Sequence, residues 1–131
     1  MKKTYKPAGY NSLSPYIVVN GAERLAKLLE TVFGARPLRR YEGTDGKIVH
    51  AEMQIDDSVI MFADATEAWP PNQLLIHLYV EDVDAVFKRA VAAGFEVVSE
   101  PREQEGDPDR RGTLKDFSGN YWSVSTQINN G

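Results

Sequence analysis

Residues Leu74 to Gly94 read LLIHLYVEDVDAVFKRAVAAG, and this stretch decides the fold. Leu74 to Val80 is an apolar run broken only by His77, of strand length, and a turn signal follows at once. Val83, Val86, Phe87, Ala90 and Val91 then recur at i, i+3, i+4, i+7 and i+8, which places one apolar stripe along a helix. Asp82 stands where an N-cap oxygen satisfies free amides, and Gly94 where a left-handed cap residue costs least. The stretch predicts a strand, a tight turn and an amphipathic helix.

The same order occurs earlier in the chain. Leu13 to Val19 reads as a strand. Asn20 is placed as N-cap with Glu23 three residues on, a capping-box arrangement. Leu25, Leu28, Leu29, Val32 and Phe33 repeat the apolar stripe, and Gly34 ends it. The two units match in pattern rather than identity, which points to an internal repeat.

Three strands are expected after each helix. In the first half these are Arg36 to Glu42, Lys47 to Ile55 and Val59 to Ala63, with Asp45-Gly46 as a hairpin signal. The middle one alternates, with Val49, Ala51, Met53 and Ile55 apolar against His50, Glu52 and Gln54. In the second half they are Phe95 to Glu100, Thr113 to Phe117 and Tyr121 to Gln127. A charged loop, Pro101 to Arg111, lies between the first two of these, and Ser118-Gly119-Asn120 turns the last pair. The joins are short, so the three later strands of each half are antiparallel neighbours. The fold class is α+β, two βαβββ modules in one chain with mixed, mostly antiparallel sheets. Module one spans about residues 12–64, a linker 65–73 holds Trp69-Pro70-Pro71, and module two spans about 74–128.

Composition narrows the function classes. The 131 residues fit one domain of the usual ~100–200-residue span. A net charge of −4 with scattered Lys and Arg gives no footprint for nucleic acid. With no cysteine, disulfides, thiolate metal sites and cysteine nucleophiles are excluded, and a cytoplasmic location is expected. Met1-Lys2-Lys3 is not followed by an apolar segment, so no signal peptide is expected, and no apolar run approaches the ~20 residues of a membrane span. No glycine-rich phosphate loop, nucleophile elbow or zinc-protease motif occurs.

Several segments together carry a family resemblance: Ser14-Pro15-Tyr16-Ile17-Val18-Val19-Asn20-Gly21-Ala22, Val32-Phe33-Gly34-Ala35, His50-Ala51-Glu52-Met53, Asp57-Ser58-Val59-Ile60-Met61, His77-Leu78-Tyr79-Val80-Glu81-Asp82-Val83-Asp84 and Asp116-Phe117-Ser118-Gly119-Asn120. The chain resembles the vicinal oxygen chelate superfamily over about residues 12–128, closest to its glyoxalase/bleomycin-resistance-like subgroup. The resemblance implies curved sheets around a cavity that is completed by a homodimer. It also implies four metal-ligand positions, one per strand, which fall here on Leu13, Met61, Leu75 and Ser123. These residue types do not make a site for a divalent cation, so no metal and no other cofactor is expected.

Candidate site residues follow from strand phase. His77 lies two places from Leu75 and shares its side of the strand. Three readings stand for it: a general base, a ligand contact, or an imidazole satisfied by a neighbouring strand or water. Tyr79, Tyr121 and Ser123 share that phase and suit a small-ligand cavity, although Tyr121 could equally pack on a partner chain. His50 and Glu52, with His77, would supply a substitute metal triad; the alternative is a solvated or subunit-facing polar stripe. Trp122 is in the opposite, core phase, whereas Trp69 either caps the cavity or anchors the linker. Asp107, Asp109, Arg110 and Arg111 are read as a lid, an anion contact or plain solvated charge. The expected function is a metal-free small-molecule binding protein, with no nucleic-acid or membrane partner. The alternative is a metal- or His-dependent lyase, isomerase or dioxygenase-type enzyme of the same superfamily.

Overall fold

A computed structural model describes residues 4–128. In chain order these form β1 (Tyr16–Val19), α1 (Ala22–Phe33), β2 (Arg36–Glu42), β3 (Ile48–Ile55), β4 (Ser58–Asp64), β5 (Leu75–Tyr79), α2 (Val83–Ala92), β6 (Glu96–Glu103), β7 (Asp109–Lys115) and β8 (Tyr121–Gln127). The chain divides after Asn72 into two compact units, each a four-stranded sheet with one helix. The strand orders are β1-β4-β3-β2 and β5-β8-β7-β6. In each, the first strand runs parallel to its neighbour and the rest are antiparallel. The two βαβββ modules and the α+β class are as the sequence implies. No helix among the described residues is long and apolar enough to cross a membrane.

In the first unit, α1 lays Leu25, Leu29 and Val32 against Ile17, Val19 and Phe62, and all six are fully buried. Each such side chain contributes about 1.5–3 kcal/mol relative to exposure. The strand begins at Tyr16 rather than Leu13, which stands before it and is 87% exposed. Pro15 can accept from the ladder, as its carbonyl does from Met61 N at 3.0 Å, but has no amide to donate.

The helix start also differs from expectation. Gly21, at φ +103°, is the N-cap and Asn20 is not; no side chain of the cap itself bonds the helix. Asp64, at the end of β4, takes that role: its Oδ1 accepts from Ala22 N at 2.9 Å and Gly21 N at 3.2 Å, and its Oδ2 from Ile48 N at 2.8 Å. Asn72 covers the free edge of β1, its Oδ1 accepting from Val18 N at 2.9 Å and its Nδ2 donating to the Tyr16 carbonyl at 3.0 Å.

In the second unit Asp82 caps α2 as predicted, accepting from Ala85 N at 3.1 Å. Thr126 Oγ1 accepts from Val83 N at 2.9 Å and donates to the Val80 carbonyl, doing for α2 what Asp64 does for α1. Gly94 follows the cap residue Ala93 at φ +103°. Strands β6 and β7 reach further than the sequence suggests, so the charged loop 101–111 shrinks to residues 104–108. Pro101 is accommodated because β6 is an edge strand with register shifts between Val97 and Ser99 and between Ser99 and Arg102. Phe87 of α2 packs over Gly112, where a Cβ would stand 2.5 Å from the Phe87 ring and 2.9 Å from Pro101 N and Ser99 O.

Candidate functional site

The pairing of β5 with β8 sets Leu75 opposite Tyr121, His77 opposite Ser123 and Tyr79 opposite Ser125. Strand β7 extends these rows with Lys115, Thr113 and Arg111. Leu75, His77, Tyr79, Tyr121 and Ser123 therefore share one face, as their spacing predicts. The face is anchored at one end by the Asp116–Tyr121 turn. Asp116, buried, accepts from Ser118 N, Asn120 N and Trp122 Nε1, and Asn120 Oδ1 accepts from Leu74 N at 2.8 Å. Trp122 lies fully in the core, as its opposite phase requires.

On this face His77 Nε2 lies 3.2 Å from Ser125 Oγ, and its ring meets Tyr79 edge-on at 4.7 Å. A hydroxyl rather than a carboxylate orients the imidazole, an arrangement suited to ligand contact more than to proton abstraction. Tyr79 Oη donates to Asp109 Oδ2 at 2.8 Å. That hydrogen bond, with some burial and the Asp109 charge, pushes the phenol above its ordinary value. Asp109 is buried and also faces Arg111 Nη2 at 3.4 Å, and Arg111 reaches Asp107 at 3.0 Å. Arg110 alternates to the other side of β7 and pairs with Asp84 of α2 at 2.9 Å. The four charged residues thus divide between two faces instead of forming one loop.

The first unit holds a second polar cluster. Tyr16, Met61, Glu52 and Arg39 form one row across all four strands. Glu52 is 5% exposed, while His50 and Gln54 on the same strand are half-buried. Tyr10 Oη donates to its Oε1, His50 Nε2 lies 2.8 Å from its Oε2, and Arg39 Nε stands 3.9 Å away. His50 Nδ1 in turn lies 2.9 Å from Tyr16 Oη. Burial pushes the Glu52 carboxyl up, but Tyr10, His50 and Arg39 outweigh it and hold it below the usual range. Burial, together with the Glu52 charge, raises the Tyr16 phenol. Tyr10, Tyr16 and Arg39 escaped the sequence reading. The available signal was the repeat, since Tyr16 holds the place in its module that His77 holds in the other.

The same correspondence, with Ala22 matched to Val83, sets Ser14 rather than Leu13 opposite Leu75 in the repeat. Met61 pairs with Tyr16 and Ser123 with His77, so both lie on the faces just described. His50 and Glu52 belong to the first unit and His77 to the second. Among the described residues no group of three or more His, Cys, Asp or Glu is gathered to hold a metal ion. Trp69 is 72% exposed, with its backbone closing a turn on Thr66.

Residues 10–124 match the Glyoxalase/Bleomycin resistance protein/Dioxygenase superfamily. The chain belongs to this superfamily. It is 34% identical to the uncharacterized protein Mb0911c of Mycobacterium bovis over 128 residues, covering 89% of this chain and 84% of that one. Among solved structures, TioX from Micromonospora sp. ML1 superposes with a TM-score of 0.74 at 23% identity, covering 89% of this chain and 98% of the other. TnmS3, an antibiotic binding protein from Streptomyces sp. CB03234, gives 0.68 at 20% identity, covering 90% and 99%. The fosfomycin resistance protein FosX from Mesorhizobium loti gives 0.65 at 19%, covering 88% and 91%. These superpositions show a shared fold.

Proposed function

We propose that this chain is a small-molecule binding protein that works without the superfamily's metal. The observation that carries this is the chemistry of the corresponding positions: Met61, Leu75, Ser123 and Leu13, or its neighbour Ser14, offer no carboxylate or imidazole. Beside Leu75 and Ser123 stand His77, Tyr79 and Tyr121, aromatic bodies with polar tips that orient a ligand through a few directed contacts. TnmS3, a binding protein of the same fold, supports this use. The exposed Leu13, Trp69 and Leu75 favour a homodimer, and the absence of cysteine fits a cytoplasmic setting.

Elemental analysis before and after soaking in nickel, zinc, manganese and iron tests the metal-free reading, and a thermal-shift screen of aromatic small molecules tests binding. Metal well below one per chain, together with a ligand whose stabilisation falls in Tyr79→Ala and Tyr121→Ala, is the expected result. Stoichiometric metal would overturn it.

A second reading rests on the first unit. The buried Glu52 carboxylate holds His50, whose other nitrogen meets the Tyr16 hydroxyl, the order of an oriented base acting on a phenol. An enzyme built this way would lose turnover in His50→Gln while keeping ligand affinity.

A further inference from the structure

Arg102 and Arg111 are direct register partners across the β6–β7 ladder, so their side chains leave the sheet on the same side. Strand alternation alone would not place Arg102 there. Ser99 pairs with Thr113 and Arg102 with Arg111, so three steps along β6 match two along β7. The extra residue, in the segment containing Pro101, is a bulge that turns Arg102 onto the face of Ser99. Gly112 lets the bulged backbone approach, since any Cβ there would collide with Pro101 N and Ser99 O.

The two arginines border a cavity of about 130 Å³, lined besides by Ser99, Gln104, Asp107 and Thr113. This is room for several waters or one small polar group. Its carboxylates are unevenly shared. Asp107 and Asp109 both serve Arg111, at 3.0 and 3.4 Å, while the Arg102 guanidinium has no ion-pair or hydrogen-bond partner among the described residues. Arg111 Nε is buried and likewise lacks an acceptor among them. Like charges directly opposite on a ladder repel, and a buried donor without an acceptor is costly. An anion beside the Arg102 guanidinium relieves the repulsion, and the planar fork of arginine matches a carboxylate or phosphoryl group.

We infer that this cavity, at the far edge of the sheet that carries His77 and Tyr79, binds the oxyanion of a small ligand, a carboxylate or a phosphoryl group. The row Tyr79–Ser125–Arg111–Arg102 crosses all four strands, so a ligand with an aromatic or apolar body at Tyr79 and an acidic end at Arg102 spans it. The inference deepens the small-molecule reading above and rests on it.

The test is calorimetric titration of the full chain with inorganic phosphate, a simple phosphate monoester and an aromatic carboxylate such as benzoate, at constant ionic strength to hold screening fixed. Saturable binding is expected for at least one of these, weakened by about tenfold or more in Arg102→Ala, the loss of one charge-assisted contact. Arg102 is exposed and unpaired, so the variant is expected to fold, which circular dichroism checks. Inorganic phosphate binding as well as the monoester identifies free anion as sufficient; binding of the organic acids alone assigns the site to a ligand's acidic end. No saturable binding of any of the three, or equal affinity in Arg102→Ala, overturns the inference. A carboxylate- or phosphoryl-bearing ligand from the screen that binds wild type and Arg102→Ala alike overturns it too, yet leaves the small-molecule reading standing. Phosphate binding without any organic ligand defeats the earlier reading alone.

Discussion

Asp64 Oδ1 lies 2.9 Å from the amide nitrogen of Ala22, so a strand end caps a helix that starts 42 residues earlier in the chain. Burial pushes this carboxyl up, but the amides of Ala22, Ile48 and Gly21 prevail and hold it below the usual carboxylate range. A depressed folded-state value means the charged form stabilises the fold. That contribution is present above about pH 4 and disappears as pH falls through the folded-state value. Asp64→Ala is expected to cost about 2 kcal/mol at neutral pH, and Asp64→Asn to lose part of the acid dependence, both read from urea melts at several pH values.

Glu52 ties the segment before β1 to the sheet through the Tyr10 hydroxyl. Glu52→Ala leaves Tyr10 and His50 without their acceptor and is expected to destabilise by about 1–3 kcal/mol. Glu52→Gln keeps the shape but not the charge. Faster limited proteolysis ahead of Tyr10 in both variants, with the rest of the chain still protected, is the expected result; unchanged cleavage would show that this contact does not hold the segment.

Gly112→Ala puts a methyl group 2.5 Å from the Phe87 ring and 2.9 Å from two backbone atoms of β6. Backbone cannot yield as a side-chain tip can, so overpacking should cost about 1–3 kcal/mol. The double variant Gly112→Ala, Phe87→Leu should recover little, because Pro101 and Ser99 remain in the way; a full recovery in thermal melts would place the strain on Phe87 alone.

Asn120 is fully buried and joins the β8 turn to the start of β5 through Leu74. Asn120→Ala strands the Leu74 amide and is expected to cost about 1–3 kcal/mol. It should also raise amide exchange at Leu74 and Leu75 above that of the β7–β8 ladder, measurable by hydrogen-exchange mass spectrometry.

The repeated strand–helix unit, the three strands after each helix, the Asp82 cap, the core position of Trp122 and the shared face of Leu75, His77 and Tyr79 were legible in the sequence. All are set by residue periodicity or by chemistry within one turn, which a linear reading carries intact. The remainder was decided by partners distant in the chain and by breaks in periodicity. Asn20 looked like a cap because it is adjacent, but Asp64 holds the helix because sheet pairing brings it there. Alternation sets Val49 in one apolar phase with Ala51, Met53 and Ile55, yet it is 61% exposed while Ile48 is buried, because a register shift opposite Tyr41 and Glu42 inverts the phase. Glu52 looked solvated by alternation and is buried because Tyr10 and His50 close over it. Arg102 reaches the face of the cavity only through the bulge at Pro101. Sequence determines which side chains a strand offers; one added residue in a ladder decides which way they point, and only the paired structure records it.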